Sequence, residues 1–192
     1  MAENEYTLLA VCTGNICRSP AMERLLAHVF AGESEIRVHS GGTYAHDGWD
    51  MQSPMKERVR DYGADAEGFV AQQVTPEMVR SSDLILTATG VHVEDVLAEV
   101  PDAAGRTFTV REFERLVEGI GSDRLRVVRE KPTTAQRLAA LVPLVDEQRR
   151  GGARAGGEDD VVDPYMLPED VYDDSFRQLS EPIEALAQAL HV

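Results

Sequence analysis

The sequence predicts an α/β fold in three layers: a four-stranded parallel sheet with helices on both faces and a phosphate-binding loop after the first strand. Three observations predict it. Short, near-continuous apolar runs, the mark of strands buried on both faces, alternate with longer segments of helical period. Ser-Pro and Thr-Pro pairs open several of those helical segments. The first apolar run ends on a cysteine, and a Gly-Asn loop and a helix start follow it.

Taken in order, Tyr6 to Cys12 reads as the first strand. Ser19-Pro20 opens a helix, with the serine as cap and the proline at the first helical position. Met22, Leu25, Leu26, Val29 and Phe30 then recur at helical spacing as far as Gly32. Ile36 to Ser40 is a second strand, followed by a Gly-rich loop through Trp49. Ser53-Pro54 starts a helix that stops at Gly63, and Thr75-Pro76 starts a short one. Asp83 to Thr89 is a third buried strand and Val91 to Val100 a helix, with Arg106 to Val110 as the fourth strand and Arg111 to Ile120 as an amphipathic helix. Thr133 to Gln136 fits a capping box ahead of a helix to about Arg150. Gly151 to Asp160, rich in Gly, Ala and charge, is expected to be a mobile loop, and Pro168 to Leu190 closes the chain as one helix or two. Strands alternating with helices give the parallel sheet covered on both sides.

The 192 residues suit one domain, 1–192, better than two. An acidic N-terminus and the lack of a long apolar run predict a cytoplasmic protein with no membrane span. Net charge is −15, from 34 acidic against 19 basic residues, and that balance argues against nucleic acid as a partner. It also means that any anion site must be built locally, from backbone N–H groups and a placed arginine. The two cysteines, Cys12 and Cys17, close too small a loop for a structural disulfide to stabilise much. The five histidines are scattered and no Cys-x-x-Cys pair occurs, so neither a metal nor any other cofactor is expected.

The segment from Val11 to Pro20, Val-Cys-Thr-Gly-Asn-Ile-Cys-Arg-Ser-Pro, carries the chemistry. It sets a thiol at the end of a buried strand and a guanidinium at the mouth of a helix, where ligands of open α/β sheets bind. Unpaired N–H groups and the helix dipole favour an anion there, and the same donors favour the thiolate form of a cysteine. Gly14 and Asn15 are the residue types that best tolerate the left-handed backbone of a tight curl. Arg18 can hold two phosphoryl oxygens at once, and Ser19 is placed to bond the sulfur. Taken singly, a Cys-to-Arg spacing of this length recurs by chance, and a cysteine ending a buried strand is ordinarily a small hydrophobe.

With its strand, loop and helix start together, this segment resembles the signature of the low-molecular-weight protein-tyrosine phosphatases. The likeness continues through Ser40-Gly41-Gly42-Thr43, Gln73-Val74-Thr75, Leu84 to Leu86 and Val162-Asp163-Pro164-Tyr165, with an enlarged segment at about 121–160. It implies a phosphomonoesterase, a hydrolase acting on phosphotyrosine protein or a small aryl phosphate through a cysteinyl-phosphate intermediate. Cys12 would be the nucleophile, and Thr13, Gly14, Asn15, Ile16, Cys17 and Arg18 the phosphate cradle. Asn15 would brace the cradle toward Ser40, with Ser19 in support. Asp163 would be the general acid and then the base, and Tyr165 and Trp49 would wall the pocket. For Trp49 a place in the core is an equal alternative; His46 is given no role, and Asp159 and Asp160 read as solvated loop charges. Cys17 lies close enough in sequence to form a reversible disulfide with Cys12 under peroxide, or else simply packs.

The chain departs from the family's pattern at Val70-Ala71-Gln72, where a basic residue is common, at Ala88-Thr89, where Met-Asp is common, and at Met166, where a second aromatic is common. Arg149, Arg150 and Arg154 in the enlarged segment read as part of a tether rather than as phosphopeptide contacts. Two rival functions stay open: an arsenate reductase of the same fold resolved by a low-molecular-weight thiol, since no cysteine follows Cys17, and a phosphate-binding regulatory relative without catalysis.

Overall fold

The structure is a computed structural model that describes residues 5–152 and 159–190. Its sheet has the strands β1 (Tyr6–Cys12), β2 (Ile36–Gly42), β3 (Leu84–Thr87) and β4 (Thr107–Thr109), all parallel, in the order β2-β1-β3-β4. Central β1 is apolar on both faces because both faces are covered. Leu8, Ala10 and Cys12 face a large core with Leu84, Leu86 and Phe108, while Leu9, Val11 and Ile85 face a smaller one. The larger core is closed by α1 (Arg18–Val29), α2 (Ser53–Asp61), α5 (Val110–Glu118), α7 (Thr134–Arg150) and α8 (Glu169–Leu190). The smaller one lies under α3 (Pro76–Arg80), α4 (Gly90–Glu99) and a 3₁₀ turn over Pro101–Arg106.

Local sequence accounts for most boundaries. Thr75, Thr109 and Thr133 cap α3, α5 and α7, each accepting from an N–H in the first turn. α8 is a single helix that runs through Pro182.

Three expectations need correction. The enlarged segment contains a further helix, α6 (Ser122–Arg129), which buries only Val128 and so shows no apolar period. The end of α7 is not a tether. Arg149 stacks 4.2 Å over the Phe108 ring, donates to Thr107 O at 2.8 Å and pairs with Asp146, which Arg150 also meets. Arg154 and most of the expected mobile loop fall outside the described residues. Asp159 and Asp160, however, are held in place. Asp159 is only 6 % exposed and pairs with Arg115 at 2.7 Å, while Asp160 accepts from Gly90 N–H at 2.8 Å at the start of α4. Asp159 is therefore not a solvated loop charge, whereas Asp160 is exposed as expected but anchored through one carboxylate oxygen.

Candidate active site

The loop after β1 is shaped from outside. The carbonyls of Cys12, Thr13 and Gly14 accept from Thr43, Tyr44 and His46 N–H at 2.9 Å each, and Ile16 O accepts from Gln52 N–H at 2.8 Å. With its carbonyls turned outward, the loop turns its amides inward. The N–H groups of residues 14–17 have no acceptor among the described residues. α1 begins at Arg18, so its free first-turn amides open on the same space. Such a ring of donors at a helix N-terminus is an anion site.

Asn15 takes the left-handed conformation the curl demands, with φ at 54°. Its buried amide donates to Ser19 Oγ at 2.8 Å and to Ser40 Oγ at 2.9 Å, and its carbonyl accepts from Gln72 N–H at 2.9 Å. Ser40 O–H donates in turn to Glu23, whose carboxyl is pushed up chiefly by burial. Gly14 is needed for space rather than for a left-handed φ: a Cβ there would come within 2.9 Å of the His46 ring. Gly42 likewise lets β2 approach, since its Cβ would run into Thr13 O.

Cys12, 2 % exposed, has its Sγ 3.0 Å from Ser19 Oγ. That hydroxyl serves the sulfur and Asn15 instead of capping the helix, which begins two residues earlier than the Ser-Pro pair suggests. Arg18, 5 % exposed, donates through Nη1 to Val161 O at 3.2 Å and through Nη2 to Asp163 Oδ2 at 2.6 Å. The loop carrying Asp163 is tied down residue by residue. Asp159 meets Arg115, Asp160 O accepts from Arg111, Val161 N–H donates to Ala88 O, and Val162 N–H donates to Gln178. Cys12, Arg18 and Asp163 thus converge on one pocket of about 250 Å³ that Thr13, Gly14, Ile16 and Cys17 also line. A larger open groove of about 510 Å³ runs beside it toward α4 and shares Tyr44, but it contains neither thiol nor amide cradle.

The pocket wall differs in part from expectation. Tyr165 lines the pocket, but Trp49 does not, and being 52 % exposed it is not a core residue either. The lining aromatics are Tyr44, His46 and Tyr165, with Trp49 packed behind His46 at 4.8 Å between ring centroids. His46 carries only a slight signal in the sequence: one histidine in a loop, opposite a glycine far away in the chain. Cys17 is buried, and its thiol is pushed up to about 12 by burial first and by Cys12 next, beside the Tyr172 hydroxyl.

Fold and cradle define an α/β protein with a phosphate-binding loop after its first strand. Residues 7–128 match the family described as low molecular weight phosphotyrosine protein phosphatase, and the chain belongs to that family of hydrolases. Among curated relatives, the low molecular weight protein-tyrosine-phosphatase Etp of Escherichia coli (strain K12) is 36 % identical over 108 residues, covering 56 % of this chain and 71 % of Etp. Among solved structures, the Erwinia amylovora tyrosine phosphatase AmsI superposes with a TM-score of 0.69 at 24 % identity, covering 98 % of this chain and 95 % of AmsI. The YwlE arginine phosphatase of Geobacillus stearothermophilus superposes with a TM-score of 0.68 at 24 % identity, covering 97 % and 93 %. Likeness at that identity speaks to the fold alone.

Proposed function

We propose that this protein, acting as one unit over residues 1–192, is a protein-tyrosine phosphatase in which Cys12 is the nucleophile, Arg18 the phosphate clamp and Asp163 the general acid. The observation that carries the proposal is the convergence of these three side chains on one pocket floored by inward amides. A phosphoryl group seated in the ring of amides receives donors on its equatorial oxygens, with Arg18 gripping two of them. Cys12 Sγ attacks phosphorus in line, the P–O bond to the leaving group breaks, and Asp163 gives that oxygen a proton. Ser19 Oγ, already on the sulfur, stabilises it when it leaves in the second step. There Asp163 takes a proton from water, the oxygen attacks phosphorus, and the S–P bond breaks. Tyr44, His46 and Tyr165 give the rim flat apolar faces suited to an aryl ester. Phosphorylated substrates follow from the family, and phosphotyrosine from this wall. The cytoplasm as its compartment is proposed from composition, and no helix among the described residues is long and apolar enough to cross a membrane.

Phosphate release from p-nitrophenyl phosphate and from a phosphotyrosine peptide tests the reading. Wild type is expected to turn over both, Cys12→Ser neither, and Asp163→Asn both with a loss of roughly 10²–10⁴-fold. Arsenate with a low-molecular-weight thiol is the control arm. Turnover there, with no phosphate release from either ester, would replace this reading by the reductase. Tight phosphate binding with no turnover of any kind would leave a binding protein.

A further inference from the structure

The turn after β3 and the first residues of α4 that follow it, residues 88–92, touch both halves of the site and have no part in the chemistry described above. On the cradle side, Ala88 N–H donates to Val11 O at 2.9 Å. His92, 4 % exposed, uses both ring nitrogens: Nε2 lies 2.9 Å from Thr13 Oγ1 and Nδ1 2.8 Å from Thr89 Oγ1. On the acid side, Val161 N–H donates to Ala88 O at 2.8 Å and Gly90 N–H to Asp160 Oδ1 at 2.8 Å, just ahead of Asp163. Thr87 Oγ1 donates to Thr89 O at 2.9 Å, which stiffens the turn itself.

We propose that this turn is the positioning element of the site: His92 holds the Thr13 end of the phosphate cradle, and Asp160 holds the loop that carries the acid. One short piece of backbone then sets the gap between nucleophile and acid. The imidazole suits the task because a neutral ring has one donor and one acceptor, and each finds a threonine hydroxyl. With the proton on Nε2, Thr13 keeps its own O–H free as one more donor to a phosphoryl oxygen. Burial first and the Arg18 charge next push His92 down to about 4, against a weaker opposite pull from Asp95, Asp163 and Asp160, so the ring is neutral at neutral pH. His92 and Asp160 are positioning residues; neither needs to touch the substrate.

The proposal rests on the assignment of Cys12 and Asp163 above, and the test separates the two. It compares kcat/KM on aryl phosphates whose leaving phenols span a wide acidity range, together with binding of inorganic phosphate followed by the fluorescence of Trp49, the single tryptophan. For His92→Ala, phosphate affinity and kcat/KM are expected to fall together, roughly three- to tenfold, for every leaving group, as the loss of one buried hydrogen bond predicts. His92→Gln, which keeps a side-chain donor, recovers part of that. For Asp160→Ala, phosphate affinity does not fall, while phenyl phosphate loses up to about tenfold more than p-nitrophenyl phosphate, because poor leaving groups depend most on a placed acid. Asp160→Asn, whose carbonyl can still accept from Gly90, restores the balance. Uniform losses in both alanine variants with unchanged phosphate affinity, or no change in either, overturn the proposal. A wild type that hydrolyses nothing sinks the phosphatase reading instead, and the phosphate affinity of His92→Ala and His92→Gln then decides the positioning role.

Discussion

Replacing Asn15 with alanine removes three hydrogen bonds and a conformational preference in one step. The left-handed φ of 54° suits asparagine better than alanine, a difference of about 1 kcal/mol. Gln72 N–H loses its acceptor, the Asn15 Oδ1 at 2.9 Å, in a part-buried bond, and an amide left unsatisfied there costs about 1–3 kcal/mol, less the more water reaches it. The two bonds from Nδ2 to Ser19 and Ser40 matter less, because those hydroxyls keep Cys12 and Glu23 as partners; their loss adds about 1 kcal/mol. The sum is about 3–5 kcal/mol, a large part of the ~5–15 kcal/mol that holds a domain together. Urea unfolding reads it directly: with an m-value near 2 kcal/mol per molar, the midpoint should drop by about 2 M. Asn15→Gly separates the contributions, since glycine adopts the conformation freely and should regain about 1 kcal/mol over alanine while making none of the bonds. Inorganic phosphate binding to both variants should weaken together. If the alanine variant unfolds within about 1 kcal/mol of wild type, or glycine is no better than alanine, the network is not what shapes the loop.

Other expectations are as direct. Asp159→Asn removes the buried carboxylate charge that Arg115 meets at 2.7 Å and should cost about 1–3 kcal/mol of stability by urea unfolding; an effect under a few tenths would return Asp159 to the class of surface charges. His92 is pushed from 6.5 down to about 4 in the fold, so the unfolded chain binds a proton first. The stabilisation from the neutral ring is present above the unfolded value and is lost as pH falls from about 6.5 toward 4, at up to ~1.4 kcal/mol per pH unit. Glu23, pushed up from 4.5 chiefly by burial, works in the opposite direction as pH falls toward its unfolded value. His92→Gln should flatten the upper part of the urea-midpoint profile between pH 7 and 5, and parallel profiles would contradict the assignment. Peroxide followed by mass spectrometry should show a reversible Cys12–Cys17 disulfide, both cysteines being free, buried and lining the one pocket; sulfinic acid at Cys12 alone would rule it out.

The parts of the molecule that local chemistry dictates were readable from the chain. β1 has the bounds of its apolar run, Thr75 and Thr133 cap the helices they precede, and the bond from Asn15 to Ser40 is where the resemblance put it. What escaped depends on partners distant in sequence. The acidic run around Asp159 looks solvated until Arg115 folds against it from α5. Arg149 looks like a free cation until the Phe108 ring slides beneath it. α6 escaped for another reason: with one buried side chain it has no periodicity to find. His46, and not Trp49, reaches the wall because its ring lies against Gly14, where a Cβ would meet it at 2.9 Å, and Trp49 packs behind it.

The ion pair between Arg18 and Asp163 at 2.6 Å has a kinetic meaning. The guanidinium is already engaged, so an arriving dianion does not dock on a vacant cation; it evicts a carboxylate. Affinity for phosphate is therefore a difference between two ion pairs and weaker than the donor count alone would give. The eviction also leaves that carboxylate, no longer held by Arg18, able to take up a proton from solvent, coupling occupancy of the cradle to charging of the group that must protonate the scissile oxygen.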